Sequence, residues 1–502
     1  MPTSDRFTLS PVARPSHEPF GWIARRETAG LDAAELGVLI HPSRRSLFLG
    51  AAALAVAPAV HAAGGQKILR LQTRQVEVGG RAATRYGVVQ PSGAVGLVLD
   101  EGDLFDVRVE NTLKVTSGLH WHGLNPPWRQ DGVPFISGPP IAAGQLADYK
   151  FPARPAGTRW MHSHYGLQEQ NLLAAPLIVR ETEAIRSGRQ EVVVLFEDFA
   201  WTSPETLFEK LRQPKMGGMA MGSMAMPMNP DKPDLNDIQY DAYLANDRTL
   251  ADPQVVDVER TGEVRLRLIN GSASTNFTID LGADEGTLLS VDGNPVEPLK
   301  ASLFPLAIAQ RVDILVRLLG DGRAVPVLAR GEGRKLQAGI VLRPPGAAVA
   351  KIPGHGAVDG PVVGLRQEVL LRAAQPLAAK RVDRSIPVVL AGSMMGYNWS
   401  MPVHGMTGAP ATVARGERVE LVLRNDTMMA HPMHLHGHTF QVTEINDRKL
   451  AGAMRDCILV PPRTTAKVAF DADNPGIWAF HCHNLYHMAA GMFTTLVYRD
   501  FT

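Results

Sequence analysis

The sequence contains few cysteines and almost no net charge, and each shortage excludes a class of protein. Only two of its 502 residues are cysteine, Cys457 and Cys482, so the fold must stand without a framework of disulfide bonds. The formal net charge is +1, from 51 basic and 50 acidic residues. A chain so balanced has no general field that attracts nucleic acid or an anionic membrane surface, and we expect neither as a partner.

Long hydrophobic runs are scarce as well. The apolar run over residues 47–60 has 14 residues, short of the roughly 20 that a membrane-spanning helix needs. It follows the motif SRRSLF from Ser43, which resembles the twin-arginine export signal, and precedes a small-residue cleavage site near Ala62. We therefore predict a disordered extension over residues 1–42, a twin-arginine signal peptide over 43–63, no stable membrane span, and export to the periplasm.

Sustained helical periodicity is also rare, and this favours an all-β protein. Beyond residue 65 the chain alternates β-branched with polar residues and is rich in glycine and proline. One pattern occurs three times, a turn with glycine and an acid followed by an alternating strand that ends at asparagine. The copies are GDLFDVRVEN from Gly102, GEVRLRLIN from Gly262 and GERVELVLRN from Gly416. Their spacing, 160 and 154 residues, predicts three similar β-sandwich domains.

The predicted domain boundaries follow breaks in the sequence. Linker candidates are residues 181–189 and the stretch 344–364, which is rich in proline and glycine. The three domains are then residues 66–182, residues 190–345 with a methionine-rich insert over 215–230, and residues 365–502.

Eight of the 16 histidines form four separate His-x-His pairs, and these pairs divide evenly between the first and third domains. GLHWHG from Gly118 corresponds to PMHLHG from Pro432, and GTRWMHSH from Gly157 corresponds to GIWAFHCH from Gly476. On a strand, each pair points both imidazoles to one face. Eight convergent imidazoles suit a cluster of three copper ions, which we place at the interface of these two domains. Domain two has no such pair, and we interpret it as a spacer.

The stretch over residues 476–492 contains most of a second kind of metal site. Strand alternation sends His481 and His483 to one face and Cys482 to the other. Cys482, His487 and Met492 offer a thiolate, an imidazole and a weak thioether, the donors of a blue-copper site, and His431 is the missing histidine. Domain one has Ser163 where domain three has Cys482, so we expect no blue-copper site there.

Together, HWHG, HSH, HPMHLHGH and HCH-x3-H-x4-M resemble the four copper motifs of the multicopper oxidases, over essentially all of residues 66–502. HSHYGLQEQ, YHMAAGM and the methionine-rich insert are most similar to bacterial periplasmic copper-resistance oxidases. The resemblance implies three cupredoxin-like Greek-key β-sandwich domains and four copper ions, one type 1, one type 2 and two type 3. It assigns type 1 copper to His431, Cys482, His487 and Met492; type 2 to His120 and His434; and type 3 to His122, His162, His164, His436, His481 and His483.

The same resemblance implies an electron route and a proton source. A donor would reduce the type 1 site, and the electron would pass through Cys482 to His481 and His483 and reduce dioxygen to water. Asp131, in RQDGVP, resembles the family's acidic residue near type 2 copper, although an Asp-Gly turn alone also explains it. Relatives that oxidise cuprous ion often carry an acid where this chain has Met488, and Glu169 is our candidate substitute.

The methionine-rich insert predicts recruitment of Cu(I), because thioethers are soft ligands that prefer this ion. The alternative is a low-complexity loop whose methionines are incidental or sacrificial. Five further methionines are candidates for a donor site near His487, although core packing explains most of them: Met394, Met395, Met428, Met429 and Met488. The insert itself contains Met216, Met219, Met221, Met224, Met226 and Met228.

We predict a monomeric, exported oxidase that converts Cu(I) to Cu(II) with dioxygen as acceptor and protects the periplasm from copper. One alternative is a laccase-like oxidase of phenols or other small organic reductants. Another is a copper-sequestering protein without turnover, although all the ligand positions are filled. Two-domain copper nitrite reductases lack this arrangement of four His-x-His pairs.

Overall fold

The structure is a computed structural model, and it is built mainly of β-strands. It describes residues 65–213, 234–259, 262–318, 321–499 and 501. The predicted extension and signal peptide therefore lie outside the described residues, as does the methionine-rich insert. In the described part the helices are short: α1 (Thr182–Ser187), α2 (Pro204–Arg212), α3 (Leu485–Ala489), and 3-10 turns at Trp128–Gln130, Gln168–Asn171 and Glu368–Leu370. None of them is long and apolar enough to cross a membrane.

The first two sheets are formed by the strands up to residue 180. These are β1 (Lys67–Val78), β2 (Arg81–Val89), β3 (Leu97–Asp100), β4 (Leu104–Asn111), β5 (Leu119–His122), β6 (Leu146–Pro152), β7 (Gly157–Ser163) and β8 (Ala174–Arg180). One sheet has the order β2-β1-β4-β6 and the other β3-β8-β7-β5. Their core is centred on Phe105, whose ring lies 4.7 Å from that of Trp121 and 4.6 Å from that of Phe151.

The next two sheets contain the strands between residues 190 and 343. These are β9 (Gln190–Phe199), β10 (Ala242–Ala245), β11 (Gln254–Asp257), β12 (Glu263–Asn270), β13 (Phe277–Asp280), β14 (Gly286–Val291), β15 (Asn294–Ala301), β16 (Leu303–Leu306), β17 (Arg311–Arg317), β18 (Val325–Gly331) and β19 (Gln337–Arg343). The sheet orders are β10-β9-β12-β17-β14-β15 and β11-β19-β18-β13-β16.

The last two sheets are formed by the remaining strands. These are β20 (Arg384–Ser393), β21 (Asn398–Ser400), β22 (Ala411–Val413), β23 (Arg418–Asn425), β24 (His431–Leu435), β25 (Phe440–Ile445), β26 (Arg448–Lys449), β27 (Met454–Arg455), β28 (Cys457–Val460), β29 (Thr465–Asp471), β30 (Ile477–Cys482) and β31 (Phe493–Tyr498). One sheet has the order β21-β20-β23-β29-β25-β26, with β27 also paired to β25, and the other β22-β31-β30-β24-β28.

The three pairs of sheets share one topology. In each pair, the repeated strand (β4, β12 or β23) has a parallel neighbour on one side and an antiparallel neighbour on the other. The partner sheet in each case contains a second parallel pair, β3 with β8, β11 with β19, or β22 with β31. The all-β prediction is therefore confirmed, and the sequence repeat corresponds to a repeat of strand arrangement.

The asparagine that ends each repeated strand has the same structural role in all three copies. Asn111, Asn270 and Asn425 are buried, with at most 1% of their surface exposed. Each amide nitrogen donates to at least two backbone carbonyls of the following chain, and each side-chain oxygen accepts from the N–H two residues later. The asparagine thus satisfies backbone groups where the chain leaves the sheet, which explains why the pattern ends on this residue.

Replacing Asn270 with alanine should lower the free energy of unfolding by about 3 kcal/mol, because buried backbone groups lose their partners. Denaturant unfolding of the copper-free protein measures the effect. The control is Asn398→Ala, at an exposed asparagine of β21, for which we expect a change within about 0.5 kcal/mol. Equal midpoints for the two variants would show that the repeated asparagine is not a structural requirement.

Candidate metal centres

The four His-x-His pairs lie on two pairs of matching strands. In the first domain β5 is antiparallel to β7, and His120 faces His162. In the third domain β24 is antiparallel to β30, and His434 faces His481. The segments that correspond in sequence therefore lie on corresponding strands of the two domains. Together these strands bring two ladders of histidines to one buried interface.

One group of imidazoles forms around the Nε2 atom of His481. This atom lies 3.2 Å from Nε2 of His164 and 3.0 Å from Nε2 of His436. A second group contains His483, whose Nε2 lies 3.3 Å from Nε2 of His162, together with His122. In each group the candidate ligand atoms all lie within 4.8 Å of one another.

His120 and His434 complete the cluster between these two groups. Their Nδ1 atoms contact backbone oxygens, of Asp131 at 3.0 Å and of Asp456 at 2.8 Å. Their Nε2 atoms are buried and have no hydrogen-bond partner, and the same holds for Nδ1 of His122. Buried nitrogens without a partner are costly unless a metal takes their lone pairs, so these residues fit a metal cluster.

Three acidic side chains determine which nitrogen several of these histidines present. Asp456 Oδ1 accepts from Nε2 of His122 at 3.0 Å, so His122 offers Nδ1. Asp131 Oδ2 lies 3.0 Å from Nδ1 of His436. Glu169 Oε2 lies 2.8 Å from Nδ1 of His162 and its Oε1 3.8 Å from Nδ1 of His483. Such partners fix tautomer and ring orientation and raise ligand basicity.

Asp131 comes from a tight turn that its neighbour allows. The residue follows the 3-10 turn Trp128–Gln130, and its side chain is buried. Gly132 has a φ of +79°, and a β-carbon there would clash with the carbonyl oxygen of Leu119. Asp131 therefore takes part in the Asp-Gly turn and contacts the histidines at the same time.

Burial keeps eight of these imidazoles neutral and hence available to a metal. Desolvation lowers the pKa of His481 to about 4. It also lowers, to well below the ordinary value, the pKa of His122, His162, His164, His431, His434, His436 and His483. For Glu169, burial, together with Asp198 and Glu197, raises the carboxyl pKa well above its usual range.

Cys482 points away from that cluster to a second one, as strand alternation predicts. Its Sγ lies 3.7 Å from Nδ1 of His431 and 3.7 Å from Nδ1 of His487, and these two nitrogens are 3.1 Å apart. Burial raises the pKa of the Cys482 thiol, so a bound cation is needed to hold it as thiolate.

Local backbone hydrogen bonds bring His487 and Met492 back to this cysteine. Asn484 caps α3, and its Oδ1 accepts from the N–H groups of Tyr486 and His487. Met492 is fully buried, its N–H donates to the His487 carbonyl, and its own carbonyl accepts from the Cys482 N–H. The capped turn after β30 thus holds Cys482, His487 and Met492 in one hydrogen-bonded loop.

The outer nitrogens of the two histidines at this second cluster also have partners. Thr427 Oγ1 lies 2.8 Å from Nε2 of His431. Asp237 Oδ2 lies 3.0 Å from Nε2 of His487, and it also accepts from the Tyr397 hydroxyl and the Asn484 amide. Burial raises the pKa of Asp237, but His487 and the hydrogen bonds outweigh it, so the pKa is below its ordinary value.

Sequence reasoning missed Asp237 and treated domain two as a spacer, which is wrong. Domain two supplies no histidine to either cluster, but Asp237 contacts one of them and Arg311 contacts Asp456 beside the other. Neither residue belongs to a recognisable motif, so no signal in the sequence could have revealed its role. Asp237 acts through His487, and Arg311 acts through Asp456, which contacts His122.

The remaining candidates have ordinary places. His438 packs against Tyr498, His404 is exposed, and Cys457 is a buried thiol whose pKa burial raises well above its usual value. The predicted copper-recruiting methionines all lie outside the described residues. Met429 is buried, Met394 and Met488 pack partly buried against the core, and Met395 is 87% exposed.

Three family models, each described as multicopper oxidase, match residues 75–184, 190–334 and 383–501. The chain is 30% identical to multicopper oxidase MmcO of Mycobacterium tuberculosis over 85% of this chain and 86% of that protein. It is 29% identical to copper resistance protein A of Escherichia coli over 92% of this chain and 96% of that protein.

Solved structures show the same fold. Fet3p, a multicopper oxidase that functions in iron import, superposes with a TM-score of 0.72 at 19% identity, over 86% of this chain and 90% of that one. A multicopper oxidase from Pseudomonas thermotolerans gives 0.62 at 24% identity, over 86% and 99%. The prediction of cupredoxin-like β-sandwich domains is confirmed.

Proposed function

The chain belongs to the multicopper oxidase family, copper-dependent oxidoreductases that use oxygen, and we propose that its electron donor is Cu(I). We further propose that the protein is exported to the periplasm by the twin-arginine route and serves copper resistance. Three of the relatives are named copper resistance proteins or their homologues, which supports this role.

We assign the four copper ions of the family to the two clusters described above. The site around Cys482 is type 1, with His431, His487 and Met492. His120 and His434 would hold type 2 copper through their Nε2 atoms, which are buried and have no hydrogen-bond partner. The two groups of three histidines hold the type 3 pair: His164, His436 and His481 in one, and His122, His162 and His483 in the other.

The observation that carries this reaction is that Cys482 lies between His481 and His483 in the chain. When bound, copper would supply one-electron chemistry at the site of Cys482 and four-electron reduction of dioxygen at the site of the four histidine pairs. The Cys482 backbone connects the thiolate of one site covalently to the imidazoles of the other, so an electron never has to cross a gap between domains.

The reduction of dioxygen also needs protons, and two carboxyl groups are placed to supply them. Asp131 contacts His120 and His436, and Glu169 contacts His162. Both side chains are buried, and burial favours the protonated form of Glu169. We assign proton delivery to this pair, with Glu169 compensating for Met488.

A cavity of about 180 Å³ beside the type 1 site suits a small cationic donor. Two carboxylates and one thioether residue contribute to its wall, Asp234, Glu332 and Met429. Asn484 also lines it, and its amide donates to Asp237, which in turn contacts His487. A donor in this cavity therefore lies against the residues that hold the type 1 ligand.

Cys482→Ser should abolish oxygen uptake with either Cu(I) or a phenol as donor, because serine cannot supply the thiolate. Oxygen consumption by the copper-loaded protein measures this loss. Cys457→Ser, at the other buried cysteine, is the matched control and should retain uptake. Uptake by Cys482→Ser equal to that of the parent would refute the electron route.

Deleting residues 216–228 should lower the rate of cuprous oxidation while sparing or increasing the turnover of bulky organic dyes. The six methionines of this segment offer soft ligands that would bind and recruit Cu(I). Steady-state rates with both donors measure the effect, and Met406→Ala, at a methionine 61% exposed elsewhere, is the control. Unchanged cuprous kinetics would rule out recruitment, and a parent faster with phenols than with Cu(I) would favour the laccase alternative.

Glu332 should make cuprous oxidation depend on pH near neutrality. Burial raises its pKa to about 7, although hydrogen bonds from Asn276 and the Val363 N–H oppose the shift. Its negative charge, and hence its attraction for Cu(I), therefore increases as pH rises through about 7. In Glu332→Gln the ratio of cuprous to phenol oxidation should lose this rise, as rate profiles with both donors will show. A ratio that keeps the same pH profile would exclude the cavity as the cuprous site.

A further inference from the structure

Domain two reaches the trinuclear site through one buried arginine. Arg311 begins β17 and is fully buried. Its guanidinium forms a two-pronged ion pair with Asp456 of the third domain, Nη1 to Oδ1 at 2.7 Å and Nη2 to Oδ2. Its Nε donates to the Thr158 carbonyl oxygen of the first domain at 3.2 Å. One side chain therefore joins all three domains.

The remaining N–H groups of this guanidinium are also used. Nη1 donates to the carbonyl oxygen of Ala309 at 3.0 Å and Nη2 to that of Asp292 at 3.1 Å. With Thr158 and the two bonds to Asp456, all five donors of Arg311 have acceptors. A lysine ammonium has three donors and no planar fork, so it cannot replace this arrangement.

Asp456 is the residue through which Arg311 reaches the copper ligands. Its Oδ1 accepts from Nε2 of His122, and its backbone oxygen accepts from Nδ1 of His434. The contact turns Nδ1 of His122 and Nε2 of His434 toward the cluster. Burial alone raises the pKa of Asp456, but Arg311 outweighs it and keeps the pKa below its usual value.

The motif HWHG provides independent support for this contact. Its glycine, Gly123, has a φ of +87°, and a β-carbon there would lie 2.7 Å from Nη2 of Arg311 and 2.9 Å from Oδ2 of Asp456. The absence of a side chain therefore leaves the space that the ion pair fills. The motif HWHG of the first domain therefore ends on glycine because Arg311 of domain two and Asp456 occupy the space that a side chain would need.

The positive and negative side chains around Arg311 and Asp456 are equal in number and are buried away from water. Three carboxylates and three guanidinium groups are buried together, and direct ion pairs link them across the three domains. They are Arg159, Arg311, Arg455, Asp292, Asp456 and Glu368. Removing one partner of such a network leaves an uncompensated charge, so each member holds its neighbours in place.

We propose that Arg311 is a positioning residue for the trinuclear site, fixing the type 2 ligand His434 and the type 3 ligand His122 through Asp456. This inference rests on the proposed assignment of the copper ligands. It gives domain two a defined part in dioxygen reduction, since that domain sets which nitrogen faces the metal.

The test compares Arg311→Lys with Arg267→Lys. Arg267 is a matched control because it is equally buried, lies on the neighbouring strand β12, and pairs with Glu181, Glu191 and Asp313, which contact no ligand. In Arg311→Lys we expect the dissociation constant of type 2 copper to rise about 10- to 100-fold, as loss of a ligand's supporting partner commonly causes. The blue type 1 absorption should be retained.

Metal analysis, the type 2 electron paramagnetic resonance signal and the near-ultraviolet band of the type 3 pair are measured on each purified holoprotein. If Arg311→Lys does not fold, Asp456→Asn, which removes the charge that pairs with Arg311, should show the same selective loss. Equal copper affinity in the Arg311 and Arg267 variants would overturn the inference. A parent protein without type 2 and type 3 signals would instead refute the ligand assignment itself.

Discussion

The structure depends on one constraint, the two-residue period of the strand that carries Cys482. Adjacent side chains on a strand must point to opposite faces, so a cysteine between two histidines faces a different site from theirs. The rest of the arrangement follows from this. The first domain must supply histidines on one side of β30, and the capped turn after the strand must bring His487 back to the other. A residue inserted between Cys482 and His483 would turn His483 to the face of Cys482 and so remove it from its own site.

Burial then decides the chemistry of the histidines. An imidazole has two nitrogens, and in a site closed to water the one that is not hydrogen-bonded is the one left for a metal. Backbone oxygens and the carboxylates of Asp131, Glu169 and Asp456 make this selection around the trinuclear cluster, while Thr427 and Asp237 make it beside Cys482. These acceptors are distributed over all three domains. Ligand identity is thus a local property of the motifs, whereas ligand orientation is a property of the whole assembly.

The sequence was sufficient for the features that depend on local periodicity. The repeat ending at asparagine predicted three pairs of sheets, and the four His-x-His pairs identified the histidines that the structure brings together, because two-residue spacing on a strand determines direction. It was not sufficient for contacts between distant segments. Asp237 and Arg311 have no motif, and their places depend on how domain two docks. The nitrogen offered by His122 likewise depends on Asp456, 334 residues further along the chain.

Because the histidine cluster takes its imidazoles from both the first and third domains, it exists only while those domains are docked. Metal binding and domain docking are therefore thermodynamically linked, and each stabilises the other by mass action. Copper bound between the two domains would therefore hold their interface closed. A protein built in this way gains conformational stability as the concentration of copper rises.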